Sequence, residues 1–327
     1  MKLFLAPMDA ITHQAFRNLV ARFGGCDEYF NEMINASSLL AGGAWEKFYL
    51  LEGPEPEKLV WQLTDKNGEK MAQAASFLAE RGGIGIDLNM GCSAPQIANT
   101  GAGIAWMTKP IEETQTMVRA VKSALENAAK DGMPAKRLSV KLRLGGEDFT
   151  PQGFFEFTDM LIDEGVQMLT LHPRTKKQKY REHAKWNFVE ELALRHPDIP
   201  VILNGDVKDK ASFEEAQKAA PHACGVMIAR AAVQKPWIFA ELKNMSRLDS
   251  APVSAEQLAL DFIDDVEKCQ PAEFWKTRLQ RFFAYYCLNF SFAHYFQTQM
   301  LNAKDNDDAR ARLKEYFEKC PEDNKLV

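Results

Sequence analysis

The sequence predicts a (β/α)8 TIM barrel followed by a small all-helical C-terminal domain. Three observations carry that expectation. Short apolar runs of strand type alternate with helix-period stretches from Leu3 to Ile228, which is the pattern of a parallel sheet. Eight such runs in a chain of 327 residues suit a closed barrel. After Phe239 the strand signals stop and only helical patterns follow. The expected division is residues 1–241 for the barrel and 242–327 for the helical domain.

The strands are expected at Leu3–Ala6, Glu28–Asn31, Leu59–Leu63, Gly85–Asn89, Leu138–Leu142, Met168–His172, Val201–Asn204 and Gly225–Ile228. Helical period appears between them at Gln14–Phe23, Gly68–Glu80, Ile111–Ala129, Gly153–Glu164 and Ala211–Ala219. An open doubly wound sheet would carry a Gly-x-Gly-x-x-Gly turn after the first strand. Here Leu5-Ala6-Pro7-Met8 stands in that place. Further on, Ser254 to Gln257 has the form of a capping box, with a helix running towards Val266. Pro271 suits the first turn of a helix through Trp275, Leu279 and Phe283. Two more helices are expected near Ala293–Leu301 and Asp307–Phe317, with Leu242–Val253 as the joint.

Bulk properties narrow the function classes. Hydrophobic residues make up 46% and charged residues 26%, an ordinary globular composition. Met1–Leu5 is too short for a signal peptide, and no run of about 18 apolar residues suggests a membrane span. Six cysteines occur without a C-x-x-C pair, and no histidine cluster has metal-ligand spacing. A cytoplasmic protein with reduced thiols, no metal and no membrane partner is expected, and a monomer is taken for its assembly. The net charge of −5 runs against a broadly basic nucleic-acid binder, although a local basic patch is compatible with it.

Chemistry in a parallel barrel sits at the C-terminal ends of the strands. Those ends carry Pro7-Met8-Asp9, Gln62, Asn89-Met90-Gly91-Cys92, Lys141, His172-Pro173-Arg174, Asn204-Gly205-Asp206 and Ala229-Arg230. Singly, each has a bland explanation as a core, capping or solvated residue. Together they bring an amide, an ammonium, an imidazole and a thiol to one mouth. Lys141 supplies a positive charge, and Gln62 offers both a donor and an acceptor to the edge of a heterocycle. Gly205 and Arg230 follow strands seven and eight, the usual phosphate position of this fold. A phosphorylated heterocyclic cofactor fits, and Lys141 would stabilise negative charge on a reduced flavin.

These residues resemble the tRNA-dihydrouridine synthase family of bacterial type. The carriers are Ala6-Pro7-Met8, Asn31-Glu32-Met33, Gln62, Asp87-Leu88-Asn89-Met90-Gly91-Cys92 with Gly101-Ala102-Gly103, and Val140 to Gly145. After them come His172-Pro173-Arg174-Thr175, Asn204-Gly205-Asp206, Met227 to Ala231, and Pro236 to Phe239. The resemblance implies FMN as cofactor, NADPH as reductant and a tRNA uridine as substrate. It implies FMN contacts at Pro7, Met8, Gln62, Lys141, His172, Asn204, Asp206 and Arg230; Asp9, Gly205 and Ala229 join them by position. It implies Cys92 as proton donor, and Asn89 and Tyr180 as contacts to the uracil. Two positions depart from the family pattern. Proline usually follows the cysteine directly, whereas here Ser93 follows and the proline is Pro95. Glycine is frequent where Ala229 stands, and alanine serves there if its φ is negative.

Reducing the uracil C5–C6 bond needs a hydride and a proton on adjacent carbons. An unperturbed thiol, with a pKa of about 8.5, is mostly protonated at neutral pH, which suits an acid role for Cys92. RNA contact is expected from Arg174, Lys176, Lys179 and Arg181, with Lys177 and Lys185 in the same stretch. Lys276, Arg278 and Arg281 form a second basic strip, while Trp275, Phe282, Tyr285 and Tyr286 read as core. Two other readings share the flavin residues. One is an FMN-dependent barrel reductase of a small molecule, and the other is a non-catalytic flavin- or tRNA-binding protein.

Overall fold

The computed structural model describes residues 1–129, 135–146, 148–178, 181–245 and 254–325. Eight parallel strands close on themselves. They are β1 (Lys2–Leu5), β2 (Glu28–Phe30), β3 (Leu59–Thr64), β4 (Gly85–Met90), β5 (Arg137–Leu142), β6 (Met168–Leu171), β7 (Val201–Asn204) and β8 (Gly225–Ile228). Closure comes from β1 pairing with β8, Lys2 opposite Gly225 and Leu5 opposite Ile228. A two-residue strand, Ile34–Asn35, adds to the end of β3; it is too short to leave a periodic signal. Strands β1, β2 and β6 end one residue earlier than expected, at Leu5, Phe30 and Leu171.

Parity decides what faces the barrel interior. Phe4, Phe30, Val60, Met168, Ile202 and Met227 form an inner apolar cluster, separate from the outer core under the helices. The same parity, carried along β3, β5 and β7, points Gln62, Lys141 and Asn204 inward at the C-terminal end. The apolar plug therefore closes the lower barrel, and polar groups line the upper mouth.

The helices obey local signals. Thr150 accepts from Gly153 N and Pro151 takes the first turn, so the helix expected at Gly153 starts at Pro151. Ser254 Oγ accepts from Gln257 N at 3.1 Å, but the expected capping box is only half formed. The Gln257 amide turns outward to Asp261 at 2.8 Å instead of back to the cap. The C-terminal helices are Ala255–Cys269, Ala272–Tyr286, Ala293–Leu301 and Asn306–Lys319. Their core joins that of the barrel: Phe262 stacks on Phe282 at 3.9 Å, and Phe282 reaches Phe16 on the first barrel helix at 6.2 Å. Among the described residues no helix is long and apolar enough to cross a membrane.

Candidate functional site

A cavity of about 860 Å³ opens at the C-terminal ends of the strands, within the range of cofactor sites. Every position expected to hold the cofactor lines it: Pro7, Met8, Asp9, Gln62, Lys141, His172, Asn204, Gly205, Asp206, Ala229 and Arg230. Cys92, Asn89 and Arg174 line it too. Lys176 and Arg181 lie outside its lining, exposed on the loop after β6. Lys179 and Tyr180 fall outside the described residues.

The Cys92 loop is pinned from three sides. Asn89 Oδ1 accepts from Cys92 N at 2.9 Å and from Gly91 N at 3.2 Å, a side-chain turn of the Asx type. Arg143 Nε donates to Gly91 O at 3.0 Å, and Ile104 N donates to Cys92 O at 3.0 Å. Gly103 packs behind the loop with φ +59°, where a Cβ would stand 2.6 Å from Cys92 O, so only glycine fits without displacement. Ser93 and Ala94 lead into a short turn of helix at Pro95–Ala98, with Pro95 in its first turn. Burial pushes the Cys92 thiol up from its ordinary value; the Ala94 N–H works against this and the Asp9 charge adds to it. Cys92 is therefore a thiol at neutral pH.

Beneath it lies a polar floor. Gln62 Nε2 donates to Asp87 Oδ2 at 2.8 Å, and Gln62 Oε1 accepts from Asn89 Nδ2 at 2.9 Å. Burial pushes Asp87 up to about 6, against hydrogen bonds from Gln62 and Ser139 and the Lys141 charge. Burial, reinforced by the Arg143 charge, brings the Lys141 ammonium down to about 8, against the pull of Asp87. Lys141 has no salt bridge among the described residues. A half-buried ammonium facing a cavity without an ion pair is a donor suited to an electron-rich ligand.

The far wall is an imidazole braced by a guanidinium. Arg174 donates from Nη1 to His172 Nε2 at 2.8 Å. Because a guanidinium can only donate, Nε2 is the acceptor and Nδ1 carries the proton. Burial first, then the Lys141 and Arg143 charges, hold His172 far below its ordinary value, so the ring is neutral. Arg174 also binds both carboxylate oxygens of Asp206 at 2.7 Å and Glu182 O at 2.6 Å. Burial alone would raise Asp206, but Arg174 and the Ala184 N–H outweigh it and hold the carboxyl below its usual range. This network keeps Asp206 at φ +65° after Gly205 at φ +118°. A Cβ on Gly205 would meet His172 Cδ2 at 2.9 Å, so the residue must be glycine for the chain to pass the ring. Ala229 has a negative φ, −111°, so it does not need the left-handed freedom of glycine, although its ψ of −102° lies outside the usual α and β regions.

Several expectations change on this geometry. Arg174 is buried with all three guanidinium nitrogens engaged inside the protein, so it braces His172 and Asp206 where a substrate contact was expected. Both ends of the Asn89 amide are likewise engaged within the protein. Arg278 is not part of a surface strip. It is buried in a bidentate pair with Glu32 at 2.7 and 3.0 Å. Tyr285 is half-buried, packed against the core and also on the cavity wall with Arg281 and Leu288, whereas Phe282 and Tyr286 are buried as expected. Arg143 and Trp186 also line the site. The first sits in the quoted Val140–Gly145 segment, two positions after Lys141, so strand parity alone would have found it; the second had no local signal.

Comparison with known proteins agrees with the whole-chain resemblance. The family model described as dihydrouridine synthase matches residues 4–325. A probable tRNA-dihydrouridine synthase of Aquifex aeolicus is 35% identical over 251 residues, covering 74% of this chain and 73% of that protein. A tRNA-dihydrouridine(16) synthase of Cupriavidus necator is 30% identical, covering 78% and 77%. A human protein named tRNA-dihydrouridine(47) synthase [NAD(P)(+)]-like is 31% identical, covering 80% of this chain and 38% of its own length.

Proposed function

This chain belongs to the dihydrouridine synthase family, and on that premise we propose that it reduces the C5–C6 double bond of a uridine in tRNA, with Cys92 as the proton donor. The observation that supports this best is the placement of Cys92: a thiol kept protonated by burial, on the wall of a cavity it shares with Lys141 and Gln62. The donor set fits FMN. Lys141, His172 and Asn204 would present an ammonium, a neutral imidazole and an amide to a heterocycle, with Gln62 in the lining beneath them, its amide tied to Asp87 and Asn89. Gly205, Ala229 and Arg230 would take the phosphate end, and Pro7, Met8 and Asp9 would close the first wall. Bound FMN would supply a hydride to uracil C6, with NADPH as its source.

Charge then builds at C5 and on the neighbouring carbonyl. Cys92 gives its proton to C5: the S–H bond breaks, the C5–H bond forms, and a thiolate remains until solvent reprotonates it. The Arg143 and Lys141 charges favour that thiolate, which eases the proton's departure. A nucleophilic role would need the thiol depressed at rest, the opposite of the shift that burial produces.

The base must leave its stack to reach the cavity, at a cost of about a few kcal/mol. Tyr180 would contact the extruded uracil. Lys176, Lys179 and Arg181 would hold phosphates at the rim, with help from Arg281 on the cavity wall. Residues 1–241 form the catalytic unit and 242–327 the tRNA-gripping one in this reading, which places a monomer in the cytoplasm. Relatives named for uridine 16 and uridine 47 match at near-equal identity, so the common substrate class is a tRNA uridine. Assay of the FMN-loaded protein with NADPH decides between readings. Dihydrouridine in tRNA and none from free uracil is expected; turnover of free uracil alone would favour a small-molecule reductase, and no turnover of either a binding protein.

A further inference from the structure

Four side chains form an unbroken chain of hydrogen bonds from the middle of the barrel to the Cys92 loop. Ser139 Oγ donates to Asp87 Oδ1 at 2.7 Å. Gln62 Nε2 donates to Asp87 Oδ2 at 2.8 Å, Asn89 Nδ2 donates to Gln62 Oε1 at 2.9 Å, and Cys92 N donates to Asn89 Oδ1 at 2.9 Å. Ser139 and Asp87 are fully buried, and Gln62 and Asn89 nearly so. Asn31 Oδ1 fixes the backbone of Gln62 by accepting from its N at 2.7 Å.

The direction of this chain is forced. An ionised carboxylate can only accept, so Gln62 must present its NH2 to Asp87. Its carbonyl oxygen then faces Asn89, which must present NH2 in turn. That leaves the Asn89 oxygen, and no other atom of its amide, against the backbone N–H groups of Gly91 and Cys92. Reversing the Asn89 amide would set donor against donor at the Cys92 turn, and reversing the Gln62 amide would set acceptor against acceptor at Asp87; either leaves buried groups unpaired. The polarity in the middle of the barrel therefore fixes where the thiol stands at its mouth.

The structure assigns Asp87 as a positioning residue for Cys92, acting through Gln62 and Asn89 on the loop that carries the thiol. Asn89, which also lines the cavity, is the last link of that device. This assignment rests on the proton-donor reading of Cys92 for its functional consequence, but not for its geometry.

The test uses the FMN-loaded full chain in Asp87→Leu and Asp87→Asn variants, with Cys92→Ala alongside. Two readouts are taken: kcat and KM for tRNA, and the rate at which iodoacetamide labels Cys92, resolved from the other cysteines by peptide mass spectrometry. Leucine leaves the Gln62 amide unanchored. Asparagine can still accept from Gln62 while giving its NH2 to Ser139, so it preserves the direction of the chain. Asp87→Leu is expected to lower kcat at least tenfold with KM for tRNA within about threefold, and to change Cys92 labelling at least fivefold. Asp87→Asn is expected to restore both towards wild type. Unchanged labelling in Asp87→Leu would overturn the assignment, as would a loss confined to KM, which would make Asn89 a direct uracil contact. Altered labelling in Asp87→Leu, with normal kcat both there and in Cys92→Ala, would instead remove the proton-donor reading and leave the positioning intact. Should Asp87→Leu fail to fold, Asn89→Ala cuts the chain at its loop end and is expected to shift labelling equally.

Discussion

Raising the pH from 7 to 9 should weaken FMN binding about tenfold, and Lys141 is the cause. Its ammonium is brought down to about 8 by burial and the Arg143 charge. A cation with that value is about 90% charged at pH 7 and about 10% charged at pH 9. If FMN binds the charged form, the apparent affinity follows the charged fraction, and the ratio is about tenfold, or about 1.4 kcal/mol. The sign follows from the direction of the shift. A ligand that prefers the ammonium raises its pKa in the complex, so affinity is full below 8 and falls above it. The other shifted groups of the cavity do not titrate upward through this window: Cys92 is raised, and His172 and Asp206 are lowered. Fluorescence titration of the apoprotein with FMN at half-unit intervals measures the profile. Lys141→Met should bind more weakly at pH 7 and show no slope from 7 to 9. A flat wild-type profile, or an equal slope in Lys141→Met, refutes the reasoning.

Arg278→Met leaves Glu32 buried with its Ala10 N–H partner and without its ion-pair partner, which should cost about 3–5 kcal/mol in urea unfolding. The double variant with Glu32→Gln should recover most of that loss; a single-variant cost below about 1 kcal/mol would contradict the pair's importance. Replacing exposed Lys176 and Arg181 by alanine should leave FMN binding unchanged and flatten the salt dependence of tRNA binding, by about 0.7–0.9 in log–log slope for each lost phosphate contact. An unaltered slope would remove that loop from the RNA contact.

What is legible in the sequence depends on how local its cause is. Strand parity is local, so the inward placement of Gln62, Lys141 and Asn204 follows once the strands are recognised. Caps are local too, and the Ser254 to Gln257 box formed only in part because Asp261 competes for the glutamine amide one turn on. The partners of Arg174 are not local. His172 lies two residues away, but Asp206 comes from the next barrel strand's end, and only folding reveals that the guanidinium is engaged by both. Arg278 is the extreme case: its partner Glu32 lies on the other side of the chain, and a basic residue in a helix gives no sign of a buried acid waiting for it. Asp87 lies inside a quoted motif, yet its connection to Cys92 needs the register of three neighbouring strands. The delayed proline, Pro95, is accommodated because Asn89, Arg143 and Ile104 hold the loop from other directions.

The most direct test of the account is a single-turnover reaction of Cys92→Ala. The variant is loaded with FMN, reduced by NADPH without oxygen, and mixed with tRNA that lacks dihydrouridine. Flavin reduction at the wild-type rate, followed by loss of tRNA-dependent reoxidation by at least about a hundredfold, is the predicted result. Reoxidation and dihydrouridine formation at the wild-type rate would contradict the claim that Cys92 supplies the proton.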